Sequence, residues 1–383
     1  MRFYTNVQLF GNTFLVRGYE NGKRFESRDS EYRPTLFLPD PAKKFKYKTL
    51  EGECVAPIKP GFVRDCREHY ERYKDIENFK TYGNDRYVSQ YISDKYPEDE
   101  IKFDMSKIRL VTLDIEVKSE NGFPDPEASA EEILLISIQD YNTKEIITWG
   151  VNPFVNKQKN VNYIECGTEQ VLLSRFIDYW TNNTPDVVTG WNVKLYDIPY
   201  LTGRLVKVLG EKEMRKLSPW RKNTENFYHI MGQKKLYYDV AGVAQLDYLD
   251  LYKKFTYTNQ ESYRLDHIAK VELGQQKLDH SEFDTFKDFY TKGWQKFVEY
   301  NIIDVELVDR LEDKMKLIEL AITMAYDAKV NFADVFFQVR MWDTIIYNYL
   351  KRRNIVIPPK DRSQKNDKYA GAYVKEPKPG KYD

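Results

Sequence analysis

The run Val111-Thr112-Leu113-Asp114-Ile115-Glu116-Val117 is apolar except for two acids spaced two residues apart. On a β-strand, positions i and i+2 face the same side, so Asp114 and Glu116 share one face. An ionised carboxylate inside a sheet is costly unless it is paired or bound to a cation, and two side by side need positive charge nearby. A divalent metal supplies that charge. Taken alone, the pattern also fits a half-exposed strand with a polar face.

Working outward, apolar runs at Ile133 to Gln139 and Ile146 to Trp149 precede a helical stretch, Glu169 to Trp180. Strands giving way to helices in alternation predict an α/β layer domain. Phe227 to Ile230 and Leu236 to Val240 flank Met231-Gly232-Gln233, which predicts a hairpin, and Lys287 to Leu350 reads as largely helical. Upstream, Phe3 to Phe10 and Thr13 to Tyr19, punctuated by Gly11-Asn12 and Asn21-Gly22, predict a small β-rich unit. A helix follows where Phe62, Cys66, His69, Tyr70 and Tyr73 recur at helical spacing, and Pro97 with Glu98-Asp99-Glu100 marks a boundary. The stretch from Asn354 to Asp383, rich in Pro, Lys and Gly, predicts extended chain.

Two more acids join the first pair. Asp197 follows a short strand and a Gly190-Trp191-Asn192 turn, where a lone Asp also serves as a helix cap. Asp304 lies in Trp294 to Val308, a helix apolar almost all round, and Tyr300 shares its face one turn earlier. A Tyr300 to Asp304 hydrogen bond is the bland account of that pair. Four carboxylates on two strand or turn segments and one helix match a two-metal phosphodiesterase, because hard Mg²⁺ or Mn²⁺ prefers oxygen ligands. Tyr300, with a reference pKa of about 10, is a neutral phenol that can orient a water.

Composition narrows the classes. The 383 residues are 42% hydrophobic, enough for two or three packed domains. Lys plus Arg equals Asp plus Glu at 59 each, which excludes a global basic field and makes any polyanion contact local. Cys54, Cys66 and Cys166 form no CxxC pair, as expected of free thiols in a reducing compartment. The opening MRFYTNVQLF lacks a leader pattern, and no window approaches about 18 uninterrupted apolar residues, so a soluble, cytoplasmic protein with no membrane partner is expected. Thirty tyrosines are consistent with base stacking, and equally with codon bias.

The motifs DIE at Asp114 to Glu116, NxxxxD at Asn192 to Asp197 and YxxxD at Tyr300 to Asp304 resemble, in order and spacing, the three exonuclease motifs of family B DNA polymerases. The likeness also takes in Phe123-Pro-Asp-Pro126, Thr189-Gly-Trp-Asn192 and Leu246 to Phe255, and is strongest to the T-even phage type. This resemblance implies a ribonuclease-H-like exonuclease domain, α/β with a mixed sheet and flanking helices, at 107–335. It implies a smaller α+β amino-terminal domain at 1–106, with 336–383 returning to pack on it from near residue 336 and leading towards a palm. In such enzymes the first Asp bridges two divalent ions, Mg²⁺ or Mn²⁺. Asp114 takes that role here, Glu116 and Asp304 the nucleophile side, and Asp197 the leaving-group side.

The resemblance further implies 3′→5′ proofreading hydrolysis that releases 5′-mononucleotides, with single-stranded DNA and primer-template 3′ ends as partners. It assigns DNA contacts to Phe123, Asn192 and Tyr196. A strand-separating hairpin falls at Phe227 to Val240, with Arg221, Lys222, Lys234 and Lys235 available for phosphates. Tyr369-Ala-Gly371-Ala372 resembles the element that links editing and synthesis in the family. On residue chemistry alone, Phe123 could sit in a local core, Asn192 could simply form a turn, and the hairpin could be any surface hairpin. The sequence ends before the polymerase motifs, so palm, fingers and thumb are expected to be missing, supplied covalently or as a separate chain. The chain is then a monomer unable to polymerise DNA alone, in the host cytoplasm if phage-encoded. Other readings are a nucleic-acid-binding module for RNA or template with secondary nuclease activity, and a standalone RNA exonuclease.

Overall fold

A computed structural model describes residues 1–76, 79–120, 122–230, 232–275, 278, 281–358 and 380. Tyr369 and Gly371 lie outside the described residues. The chain opens with an antiparallel sheet of β1 (Arg2–Phe10), β2 (Thr13–Glu20) and β3 (Lys23–Asp29), turning at the positive-φ residues Gly11, Asn21 and Gly22. Short strands β4 (Leu36–Pro39), β5 (Tyr47–Thr49) and β6 (Cys54–Ile58) follow, then helices α1 (Val63–Tyr73) and α2 (Tyr87–Lys95).

The second region begins with β7 (Leu110–Val117), β8 (Ile133–Asp140), β9 (Ile146–Gly150) and β10 (Val161–Glu165), then α3 (Glu169–Asn182), β11 (Val187–Thr189), α4 (Asp197–Leu209) and α5 (Glu211–Met214). A long hairpin, β12 (Asn223–Ile230) with β13 (Gln233–Val240), leads to β14 (Ala244–Gln245), α6 (Tyr248–Phe255), α7 (Leu265–Leu273) and α8 (Phe286–Lys292). Helices α9 (Trp294–Met315), α10 (Leu317–Ala328) and α11 (Gln338–Arg352) and strand β15 (Ile355–Val356) close the described chain. The expected strands and helices are present, and the hairpin is longer than its apolar runs suggested. None of the helices among the described residues is long and apolar enough to cross a membrane.

Six strands form the central sheet in the order β10-β9-β8-β7-β11-β14. It is mixed: β8 runs antiparallel to β7 and β9, while β7, β11 and β14 are parallel. Val111, Leu113, Ile115 and Val117 pack in one cluster with Leu172, Phe176 and Ile177 of α3 and Ile198, Leu201 and Leu205 of α4. On the opposite face, α9 covers β7 and β8, with Phe297, Val298, Ile302 and Val305 packed against Leu134 and Leu135. Both faces of the sheet are thus covered by helices, which explains why β8 is almost wholly buried.

The amino-terminal sheet is locked to the central one through Asp186, just ahead of β11. Its fully buried carboxylate accepts hydrogen bonds from Thr5 Oγ1 (3.1 Å), Tyr19 Oη (2.8 Å), Arg24 Nη2 (2.7 Å) and the Arg109 backbone N–H (2.9 Å). Arg17, also fully buried, donates to the carbonyls of Pro185 (2.9 Å) and Gly242 (2.6 Å) and lies 3.8 Å from Asp186. Helix α11 returns to α2, where Arg86 pairs with Asp343 at 2.9 Å and Thr344 Oγ1 reaches Ser89 Oγ at 3.4 Å. Met341 is buried in this seam, whereas Trp342 is 62% exposed because Thr344 and Asn348 take the inner face of the helix.

Removing one partner of a buried ion pair leaves an uncompensated charge. Asp186→Ala should therefore cost about 3–5 kcal/mol of stability in urea unfolding, and a loss below about 1 kcal/mol would show that the arginines find other partners.

Candidate metal centre

Because β7 alternates, Thr112, Asp114 and Glu116 point away from the α3/α4 cluster, towards α9. Asp304, on α9, is buried and completes a group in which one carboxylate oxygen from each of Asp114, Glu116 and Asp304 lies within 4.8 Å of the others. Two elements thus converge on one point: the central strand supplies two acids and the crossing helix the third.

Asp197 lies along the other edge of β7, outside that group of three. Strand β11 pairs with β7 only as far as Thr189 opposite Thr112, and beyond it the Ile115 N–H donates to Asp197 Oδ1 at 3.1 Å. Asp197 is the first residue of α4, and its side chain is spent on the neighbouring strand, not on capping its own helix. The intervening turn is tight: a Cβ on Gly190 would stand 2.5 Å from the Leu113 carbonyl oxygen. Burial drives the Asp197 carboxyl up to about 7, with the Ile115 hydrogen bond opposing and the Asp247 and Asp304 charges adding to the rise. Hard divalent cations favour such all-oxygen sites, and a cation would offset the burial and, to a lesser degree, the charge crowding that lift Asp197.

Tyr300 stands on α9 one turn before Asp304, its ring edge-to-face with Phe289 at 5.7 Å. Phe123 is 84% exposed, which excludes the local-core alternative, and its ring lies 5.0 Å from that of half-buried Tyr196. Asn192 has φ of 69°, in the left-handed region that Asn tolerates. Its backbone N–H donates to Asp247 Oδ1 at 3.1 Å, so the turn-forming role is real.

The sequence reading passed over two residues. Asp247 is buried and also accepts from the N–H groups of Lys194 (3.0 Å) and Leu249 (3.0 Å), tying the Asn192 turn to the start of α6. Its only signal was its place in the Leu246 to Phe255 segment. Asn301, fully buried on α9, donates from Nδ2 to Asp114 Oδ2 at 2.6 Å. It stands next to Tyr300 and three residues before Asp304, and so on the acidic face of the helix.

Lys234 and Lys235 are exposed near the hairpin tip, with the Lys234 ammonium 3.4 Å from the Phe227 ring centroid. Along the hairpin, Tyr228 and Tyr237 stack at 4.3 Å, and Lys194 Nζ donates to Tyr228 Oη at 2.7 Å. A cleft of about 780 Å³ lies here between β1, the start of α2 and the hairpin, and none of the four acids lines it.

Acids from a central strand and a crossing helix, all oxygen donors, form a carboxylate group of the kind that could hold a divalent ion. The family model for "DNA polymerase family B, exonuclease domain" matches residues 58–268, which include Asp114, Glu116 and Asp197, and the chain belongs to that family. The chain is 33% identical over 99% of its length to the DNA-directed DNA polymerase of Escherichia phage RB69, and 32% identical over 98% to that of Enterobacteria phage T4. In both cases the match covers 44% of the relative, so the chain spans under half the length of these polymerases. The DNA polymerase delta catalytic subunit of Candida albicans is 25% identical over 73% of this chain and 28% of its own length.

The raised Asp197 carboxyl has a pH signature in the ion-free protein. The folded state keeps a proton that the unfolded chain releases above pH ~4, so stability falls as pH rises from there to about 7 and then levels. Asp197→Asn removes this dependence and keeps an oxygen for the Ile115 N–H. In EDTA, its Tm should exceed that of the wild type at pH 8 and converge with it towards pH 4; parallel Tm curves would refute the assignment.

Proposed function

We propose that this chain is a proofreading 3′→5′ exonuclease acting on single-stranded or frayed DNA 3′ ends as the editing portion of a replicative polymerase. The observation that carries this reading is the convergence of Asp114, Glu116 and Asp304 within 4.8 Å, with buried Asp197 bonded to the same strand. Family membership supports the choice of DNA as substrate. The single antiparallel strand β8 in an otherwise parallel sheet supports a ribonuclease-H-like fold for 107–335. The bonds from α11 to α2 support reading 336–383 as a return to the amino-terminal unit, 1–106.

In this reading Asp114, Glu116, Asp304 and Asp197 would hold two divalent ions, Mg²⁺ or Mn²⁺, with Asp114 serving both, Glu116 and Asp304 the attacking side and Asp197 the leaving side. When bound, such a pair supplies Lewis-acid activation and charge neutralisation for in-line displacement at phosphorus. The water oxygen bonds to phosphorus, the P–O3′ bond breaks, and the products are a 5′-mononucleotide and a strand one residue shorter with a free 3′ hydroxyl. Tyr300 orients the attacking water by hydrogen bonding. Exposed Phe123, backed by Tyr196, stacks on an unpaired base near the 3′ end, and such contacts are worth about 1–3 kcal/mol each. Asn192 contacts the terminal nucleotide, and Lys234 and Lys235 contact phosphates.

The test offers 5′-labelled single-stranded DNA, and the matching RNA, with Mg²⁺. Wild type should shorten the DNA one nucleotide at a time and leave the RNA largely intact, and Asp114→Ala should abolish the ladder. No ladder on DNA, an equal ladder from the variant, or faster degradation of RNA would overturn the reading. Phe123→Ala should raise KM for DNA by about 5- to 150-fold, the range set by one stacking contact, with kcat for saturating DNA nearly unchanged. An unchanged KM would remove Phe123 from the DNA site.

A further inference from the structure

We propose that Asn301 is a positioning residue which, with Ser137 and Thr148, forms a directional hydrogen-bond relay that fixes Asp114 for divalent-ion binding. The proposal rests on the metal-dependent reading above and adds a function to three residues that carry none of the ligand chemistry.

The relay follows from the sheet register. Asp114 on β7 stands directly opposite Ser137 on β8, and Ser137 directly opposite Thr148 on β9. Cross-strand partners lie on one face of a sheet, so the three form a polar row running beneath α9. Asn301, on α9, bridges two members of that row. Its Nδ2 donates to Asp114 Oδ2 at 2.6 Å, and its Oδ1 accepts from Ser137 Oγ. Ser137 Oγ lies 2.7 Å from Thr148 Oγ1.

Donor and acceptor counting gives the row a direction. Ser137 spends its one proton on the Asn301 carbonyl, so it accepts from Thr148. Asn301 is thereby held with its amide nitrogen, and not its oxygen, towards Asp114. Reversal would set the amide oxygen against the Asp114 carboxylate, an acceptor facing an acceptor. Each link therefore fixes the next, and the last fixes one oxygen of the residue proposed to be shared by both ions.

Burial makes this arrangement consequential. Ser137, Thr148 and Asn301 are all fully buried, under the apolar packing of Phe297, Val298, Ile302 and Val305. Polar groups in such a place cost free energy unless bonded, and a purely structural contact between helix and sheet would be met by apolar side chains. A neutral amide donor also suits a ligand that must remain ionised: it stabilises the carboxylate without introducing a cation that would compete with the metal. Partners of this kind, one step behind a ligand, set its orientation and typically change affinity by about 10–100-fold when lost.

The experiment measures Mn²⁺ binding by the chain, by paramagnetic resonance titration, alongside kinetics on single-stranded DNA. Asn301→Leu, which keeps the forked heavy-atom shape of Asn without its polar atoms, should weaken Mn²⁺ binding by about 10–100-fold and lower kcat, with KM for DNA within about twofold of wild type. Ser137→Ala, a smaller change that guards against loss of fold in the first variant, should weaken Mn²⁺ binding by about fivefold, the size of one neutral hydrogen bond. In the double variant the Ser137 change should add nothing, because its effect passes through Asn301. Wild-type Mn²⁺ affinity in folded Asn301→Leu or in Ser137→Ala, or additive losses in the double variant, would overturn the relay and leave the metal site standing. A wild-type chain that binds no Mn²⁺ would overturn both.

Discussion

The structure depends on one constraint: β7 is hydrogen-bonded along both edges, to β8 on one side and β11 on the other, and its side chains must alternate. Its odd-numbered residues, Val111 to Val117, are committed to the α3/α4 cluster. Asp114 and Glu116 can then go only towards α9, and a register slip of one residue would bury both acids in the apolar cluster. The early end of β11 is part of the same arrangement, since it leaves the Ile115 N–H for Asp197.

Two kinds of buried acid in this chain show how surroundings assign a role. Asp186 is met by Arg24 at 2.7 Å and flanked by Arg17, and these charges come from the strands that dock on it. Its charge is answered within the protein, and it serves as a clasp between two sheets. Asp114 is bonded by a neutral amide and Asp197 by a backbone N–H, while Glu116 and Asp304 add further negative charge. Bonds of that kind orient carboxylates without neutralising them, which suits a centre built for cations from solution.

Much of this was legible beforehand where a residue's meaning is local. Strand β7 and helices α3 and α9 follow from periodicity, and Asp114, Glu116, Tyr300 and Asp304 follow from spacing within one element. Other features were not legible. Asn301 looks like any polar residue in a helix, and Ser137 like a break in an apolar strand, until register sets Ser137 between Asp114 and Thr148. Asp247 gains its function by holding backbone N–H groups more than fifty residues away, at Asn192 and Lys194.

By itself, then, the sequence determined which elements form, which faces they present and which acids are candidates, because strand and helix periods are properties of consecutive residues. Only the tertiary structure decided that acids far apart in the chain share one centre, that Asp197 gives its oxygen to β7 and not to its own helix, and that a row of buried hydroxyls and an amide stands behind Asp114. Those outcomes depend on strand order, register and the crossing of α9, which are set by packing between elements.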